Sequence, residues 1–190
     1  MGFEPVRLEG PRVVVRSAQA DDARRFVSYF DRNRAHLEPW NPVREVAFYT
    51  EPYWVERIRG YDENRARGAA QHMVVVAHGE EEFTGDIGLF EIIARDPVWR
   101  GRVGYSLDAK KVGQGLMSEA LGLVVRYAFD VLNLKRLQAG HLPHNARSAR
   151  VLERAGFVRE ALQREYFHLG GGTWSDHVET CLINPAWRVP

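Results

Sequence analysis

The sequence predicts a mixed α/β fold, in which a mostly antiparallel sheet of about seven strands is flanked by about four helices. One observation is the recurrence of segments rich in β-branched and aromatic residues, such as those at 12–18, 70–79 and 82–93. Another is a helical stretch at 115–132 that is apolar nearly all round, so it is expected to pack centrally against the sheet. The order of the elements, an antiparallel first half followed by strand, helix, strand and helix, then favours a mixed sheet.

The first half of the chain contains one strand and two helices before the main run of strands. RVVVRSA at 12–18 is the first strand, and Asp21 is predicted to cap a helix that runs to about His36. The segment 37–43 contains two prolines and is therefore expected to be a loop. A second helix is predicted at 51–67, with Pro52 in its first turn.

Three strands are predicted next, at 70–79, 82–93 and 102–108, with Gly79 and Gly101 in the turns between them. The apolar helix at 115–132 follows, and then a strand at 135–142.

The last third of the chain is predicted to hold one helix and a strand pair. Asn145 is the expected N-cap of the helix and Gly156 its stop. The final two strands are expected to pair around a turn at Gly170–Gly172.

Size and charge favour one globular domain over residues 1–190 and argue against some partners. The chain has 26 basic and 25 acidic residues, a net charge of +1. Broad binding to nucleic acid or to a membrane surface usually needs a basic excess, so neither partner is expected. Cys181 is the one cysteine, which rules out an intrachain disulfide and favours a packed thiol. With no signal-peptide pattern and no membrane-spanning apolar run, a cytoplasmic protein is expected.

Two glycines, Gly113 and Gly115, lie between a strand and the apolar helix. The start of a helix exposes unpaired N–H groups and a partial positive charge, and glycines let a ligand approach the backbone. This arrangement is suited to a pyrophosphate. A Walker loop would need Lys and Ser or Thr after the second glycine, and a Rossmann fingerprint would need Gly or Ala in place of Ser118. A tight turn that binds no ligand remains the alternative.

The segment KKVGQG at 110–115 resembles the (Gln/Arg)-x-x-Gly-x-(Gly/Ala) turn of the GNAT superfamily of N-acetyltransferases, with Lys110 in the first position. PHNARSARVLERAGF similarly resembles the Asn-x-x-Ser helix of that superfamily. Together with NRAHLEPWNPVRE, GQGLMSEAL and WSDHV, these motifs resemble the RimJ branch, which comprises bacterial ribosomal-protein alanine N-acetyltransferases.

The resemblance implies a GNAT-type fold, acetyl-coenzyme A (acetyl-CoA) as co-substrate and a protein N-terminus as acceptor, with a ribosomal protein as the candidate partner. It implies direct transfer of the acetyl group, and the chain is expected to be a monomer or a homodimer. No metal is expected, because neither His-Glu-x-x-His nor a zinc spacing of cysteines occurs. The residues that the resemblance assigns to coenzyme binding are Ser106, Leu107, Lys110, Val112, Gly113, Gln114, Gly115, Leu116, Met117 and Asn145.

The resemblance also implies roles at the reacting centre. Glu165 is the expected general base, although it could instead be a solvent-facing carboxylate of a strand; Glu91, expected beside the acceptor, is the alternative base. Ser148 is expected to donate to the departing thiolate, with Asn145 capping its helix and contacting the coenzyme. Trp40 is expected to form a wall of the amine site, or alternatively to anchor the loop in the core.

Two other functions stay open on sequence grounds. The same coenzyme could serve a small amine, such as an antibiotic or a polyamine. The chain could also be a coenzyme-binding interaction module without turnover.

Overall fold

The computed structural model describes residues 2–170 and 172–189, and these form an eight-stranded sheet with helices on both faces. The strand order is β1-β2-β3-β4-β5-β6-β8-β7. The strands are β1 Arg7–Glu9, β2 Val13–Ser17, β3 Gln71–Ala77, β4 Gly85–Arg95, β5 Val98–Leu107, β6 Arg136–His141, β7 Val158–Gly170 and β8 Thr173–Ile183. The helices are α1 Ala23–Arg32, α2 Arg34–Leu37, α3 Glu51–Ala66, α4 Leu116–Arg126 and α5 Ala146–Arg154. The mixed α/β class is confirmed, with one strand and one short helix more than predicted.

One strand pair departs from the antiparallel pattern and positions the candidate site. β5 and β6 run parallel and pair at only three positions, Arg100 with Arg136, Gly101 with Leu137 and Arg102 with Gln138. Beyond these pairs, residues 103–107 and 139–141 form no ladder with each other. The facing backbone edges of the two strands are therefore free to bind a ligand.

The sheet separates two hydrophobic cores. On one face α4 buries Met117, Leu121 and Val124, each no more than 2% exposed. Full burial of side chains of this size contributes about 1.5–3 kcal/mol each, so α4 is held firmly against the sheet. On the other face α1 and α3 pack through stacked rings, with Phe26 4.4 Å from Trp54 between centroids and Phe30 5.0 Å from it.

The first long helix begins later than predicted, and the predicted run to about His36 is divided into α1 and α2. A 3₁₀ turn, Ala20–Asp22, precedes α1, and the buried Asp22 carboxylate binds Arg16 and the Gln19 amide instead of an Asp21 cap forming. The helix breaks at Asn33, well before His36. The Asn33 amide group donates to the carbonyl of Tyr29 and to Asp108 at 2.8 and 3.1 Å. A buried side chain thus decides where the helix ends.

Gly101 lies inside β5 and not in a turn, which corrects a second prediction. A Cβ at this position would come within 3.2 Å of the side chains of Leu89 and Leu134, so glycine is required by close packing across the sheet. The chain turns earlier, at Asp96 and Pro97, and β5 begins at Val98. The short strand β1 was also missed, because three residues carry too little alternation to be recognised.

Other predictions are confirmed. α3 contains Pro52 in its first turn, and the Asn145 side chain caps α5 by accepting from the Ser148 amide at 3.1 Å. Cys181 is a buried free thiol in β8. The predicted turn between β7 and β8 includes Gly171, which lies outside the described residues. Among the described residues, no helix combines the length and the apolar character that crossing a bilayer requires.

Candidate active site

The glycine turn lies between β5 and the first residue of α4. Gly113 and Gly115 have φ angles of +83° and +76°, a region that other residues adopt at a cost. Gly115 is the N-cap of α4 and has no side chain to cap it, so the first amides of the helix are open to an anion. A Cβ at Gly113 would meet no described protein atom within 4 Å, so protein packing does not demand a glycine there.

Asp108 holds the start of this turn against α1. Its buried carboxylate accepts hydrogen bonds from Arg32 Nε at 2.7 Å, from Asn33 Nδ2 at 3.1 Å and from the Lys110 amide at 2.8 Å. Burial alone would raise the pKa of Asp108, but the hydrogen bonds from Arg32, Asn33 and Lys110 outweigh it and lower the pKa. Asp108 therefore stays ionised, and the turn has a fixed position.

Arg12 adds a cation beside the turn that the sequence analysis missed. Its guanidinium donates to the carbonyl oxygen of Gln114 at 2.9 Å and to Glu119 Oε2 at 2.8 Å. Nη2 lies 3.5 Å from the position of a Cβ at Gly115. Because Arg12 is about a hundred residues earlier in the chain, no local motif could have connected it with the turn.

Ser148 lies at the split between β5 and β6. The Tyr105 hydroxyl, on β5, donates to the carbonyl oxygen of Ser148 at 3.1 Å and lies 3.0 Å from Ser148 Oγ. Asn145 fixes the other side through the Ser148 amide. Burial raises the pKa of Tyr105 to about 12, so this phenol keeps its proton at neutral pH.

The opposite face of β5 carries a second polar group. Ser106 Oγ donates to Asp86 Oδ1, and the Tyr29 hydroxyl lies 2.7 Å from Ser106 Oγ. Burial raises the pKa of Asp86. Among the described residues, no Lys, Arg or His side chain lies within ion-pair distance of its carboxylate. Because the Ser106 side chain is engaged, Ser106 and Leu107 can offer a ligand only their backbone.

The loop that holds Trp40 reaches across to the far side of the split. The half-buried Trp40 ring lies 5.4 Å from the ring of His144, in the turn before α5. The Val43 amide donates to the carbonyl of Leu169 near the end of β7 at 3.2 Å. The segment 37–43 therefore connects α2 with the turn before α5 and with the end of β7.

Glu165 and Glu91 both lie exposed at bulges in the sheet. Their φ angles are +46° and +48°, positive values that are rare for residues other than glycine. The Glu165 amide donates to Asp176 Oδ1 at 3.0 Å, and the Glu91 carboxylate lies 3.7 Å from Arg100. Within residues 2–170 and 172–189, no hydrogen bond joins either carboxylate to Ser148.

His177, in the WSDHV motif, covers the end of β6. A Cβ at Gly140 would lie 2.0 Å from its Cε1 atom, and the rings of Tyr166 and Phe167 lie 5.4 and 5.6 Å away. Burial lowers the pKa of His177, and its buried Nδ1 has no hydrogen-bond partner in the described part of the chain. Apart from the WSDHV motif itself, no pattern in the sequence indicated this position.

Several of these features suit a ligand that carries a diphosphate and an amide-bearing arm. The open amides of α4 and the nearby cations suit the diphosphate, and the free edge of β5 suits the arm. The hydroxyls of Ser148 and Tyr105 lie beside that edge. Among the described residues, no group of three or more His, Cys, Asp or Glu side chains is arranged to hold a metal ion.

The structure thus has a strand, a glycine turn and a helix beside a split parallel strand pair. The family model described as "Acetyltransferase (GNAT) domain" matches residues 12–158. The chain therefore belongs to the GNAT family of acetyltransferases.

Individual relatives agree with this assignment. The chain is 36% identical to the [ribosomal protein uS5]-alanine N-acetyltransferase of Escherichia coli strain K12, over 96% of this chain and 93% of that one. It is similar to the crystal structure of ribosomal-protein-S5-alanine acetyltransferase from Vibrio fischeri, with TM-score 0.91, 36% identity and coverage of 97% and 100%. Mycobacterium smegmatis RimJ in complex with CoA-disulfide has the same fold, with TM-score 0.84, 24% identity and coverage of 96% and 87%.

Proposed function

We propose that this protein transfers the acetyl group of acetyl-CoA to the α-amino group of a protein N-terminus, of the ribosomal-protein alanine type. The observation that carries the proposal is the split between β5 and β6, which leads from the glycine turn to Ser148. Similarity to uS5-alanine acetyltransferases over nearly the whole chain supports the choice of acceptor.

The coenzyme is proposed to bind along the glycine turn and β5. Acetyl-CoA supplies an activated acetyl thioester, and the chain supplies donors that hold it. The open amides at the start of α4 and the nearby Lys110 are suited to the diphosphate, while Asn145 is proposed to contact the coenzyme from the start of α5. The full set of proposed contacts is Ser106, Leu107, Lys110, Val112, Gly113, Gln114, Gly115, Leu116, Met117 and Asn145.

An α-amino acceptor makes a modest demand on the protein. The pKa of an α-amino group is about 7.7–8.0, whereas that of a lysine side chain is about 10.4. The difference of about 2.5 units corresponds to roughly 3.4 kcal/mol in favour of the neutral α-amine at neutral pH. A carboxylate acting directly or through water is therefore a sufficient proton acceptor.

Transfer requires that a C–N bond forms while the C–S bond of the thioester breaks. One proton leaves the nitrogen, and Glu165 is proposed to accept it, with Glu91 as the alternative. The departing thiolate is proposed to accept a hydrogen bond from the Ser148 hydroxyl and to take up a proton from solvent, while the carboxyl group returns the amine proton to solvent. The Tyr105 hydroxyl lies within hydrogen-bond distance of Ser148 Oγ, and its raised pKa keeps the phenol protonated and able to donate a hydrogen bond. Trp40 is proposed to form one wall of the acceptor site.

Purified protein assayed with acetyl-CoA tests this proposal. Short peptides that begin with Ala or Ser are compared with a panel of small amines, and release of free thiol is followed. The proposal predicts turnover with Ala-first peptides well above that with any small amine. Turnover confined to small amines would favour the polyamine or antibiotic alternative, and coenzyme binding without any turnover would favour an interaction module.

A further inference from the structure

Arg44 has a half-buried guanidinium whose polar edge is without a protein partner. Its central carbon lies 4.4 Å from the ring centroid of Phe30 and 4.1 Å from that of Phe48. Within the described residues, 2–170 and 172–189, it forms no hydrogen bond and no ion pair. Burial lowers the pKa of Arg44.

Other half-buried arginines of the chain are satisfied. Arg16 holds Asp22 through two hydrogen bonds of 2.6 and 2.8 Å, and Arg102 holds Glu179 through two of 2.7 and 3.0 Å. The edge of Arg44 is therefore suited to an anion that comes from outside the chain.

Arg44 lines a cavity of about 140 Å³. Since a liquid water occupies about 30 Å³, the cavity has room for a short side chain. A second cation in its lining, Arg34, lies over the Tyr49 ring at 3.6 Å and is paired with Asp31 at 2.8 Å. Glu38, which is exposed, is the acidic residue among those that line the cavity. The apolar part of the wall comes from Phe30, Leu37, Pro42, Val43 and Tyr49.

The loop that lines this cavity also contains Trp40, which is proposed to form a wall of the acceptor site. Trp40 and Val43 connect this loop with His144 and Leu169 on the far side of the split. Asp86, beside Ser106 on β4, acts electrostatically on Arg44, although the two are not paired. Arg44 therefore lies in the same loop as Trp40, the residue that is proposed to line the acceptor site.

We infer that Arg44 forms an anion subsite that binds a carboxylate side chain in the first few residues of the acceptor peptide. The inference rests on the proposed function and narrows its substrate class to N-termini that are closely followed by an acidic residue. The guanidinium would donate paired hydrogen bonds to the carboxylate, with Phe30 and Phe48 holding the guanidinium in place.

Matched peptides test this inference. Ala-first peptides carry a single Glu at position 2, 3 or 4, and each is compared with its Gln counterpart. At one position we expect Glu to raise kcat/KM about ten-fold or more, chiefly through KM, as a charge-assisted hydrogen bond provides. Arg44→Gln should reduce that ratio to within about two-fold while leaving the rate on the Gln peptide nearly unchanged. Arg59→Gln, at an exposed position of α3, serves as the control and should retain the full ratio.

The outcomes separate this inference from the proposed function. Equal rates on every Glu and Gln pair, or a preference that survives in Arg44→Gln, would overturn the anion subsite alone. No acetylation of any peptide, together with turnover of small amines, would overturn the proposed function. If Arg44→Gln lowers the thermal midpoint strongly, Arg44→Lys, which keeps the charge but loses the fork, must weaken the preference for Glu.

Discussion

The Tyr105 hydroxyl donates to the carbonyl oxygen of Ser148 at 3.1 Å and lies 3.0 Å from its Oγ. This contact joins β5 to α5 at the point where β5 and β6 separate. If Ser148 donates to the departing sulfur, Ser148→Ala should lower kcat by about 10²-fold, the usual cost of removing one donor at a developing charge.

Tyr105→Phe should have a smaller effect, because Ser148 keeps its hydroxyl and its position on α5. Steady-state kinetics at saturating acetyl-CoA measure both effects. Ser28→Ala, on the exposed side of α1, is the control. A Ser148→Ala enzyme with wild-type kcat would contradict a role in releasing the thiol.

The proton acceptor can be assigned by comparing two carboxylates with similar backbone geometry. Glu165 and Glu91 both lie at bulges with positive φ, so Gln at either position perturbs the fold similarly. Glu165→Gln should lower kcat/KM by about 10²-fold or more, as loss of a general base does. Glu91→Gln should stay within a few-fold of wild type.

Rates against pH complete this test. With Glu165 removed, the rate should increase with hydroxide concentration where the wild-type rate has levelled off. The reverse ranking of the two variants would move the role to Glu91, and a wild-type profile for Glu165→Gln would exclude it.

His72 is expected to make stability depend on pH. Its ring stacks on Tyr61 at a centroid distance of 3.6 Å, and burial, helped by the charge of Arg57, lowers its pKa to about 4. The unfolded chain titrates near the ordinary value of about 6.5 and so binds more protons between pH 6.5 and 4. The free energy of unfolding should therefore decrease as the pH falls through that window.

His72→Phe retains the stack and removes the titration, so its urea midpoint should vary less over the same range. His36→Phe, at a position outside the two cores, serves as the comparison. Equal pH dependence in the wild type and in His72→Phe would show that His72 is not kept neutral by burial.

Local patterns in the sequence were sufficient for the parts of the site that lie close together along the chain. Gly113 and Gly115 predicted the bare turn, and Asn145 predicted the cap that fixes Ser148. Arg12, which binds the carbonyl of Gln114, was not predictable, since its distance along the chain hides the contact. The packing reason for Gly101, which lies against Leu89 and Leu134, was hidden in the same way.

Side-chain competition explains most of the remaining errors. The first long helix ends at Asn33 because that amide binds Asp108, a partner 75 residues away. Helix periodicity contains no information about such a partner. The free edge of β5 was likewise not visible, because strand separation depends on pairing and not on composition.

Calorimetric titration with acetyl-CoA measures whether the backbone at 113–117 binds the diphosphate of the coenzyme. Gly79 provides a matched control, since its φ of +80° is close to that of Gly113, and neither position has a described atom within 4 Å of a Cβ. Valine at either position should cost about 1–3 kcal/mol of backbone strain.

The account predicts that Gly113→Val weakens coenzyme binding by more than ten-fold while Gly79→Val binds as the wild type does. Equal affinity in the two variants, or no heat for the wild type at millimolar coenzyme, would contradict it.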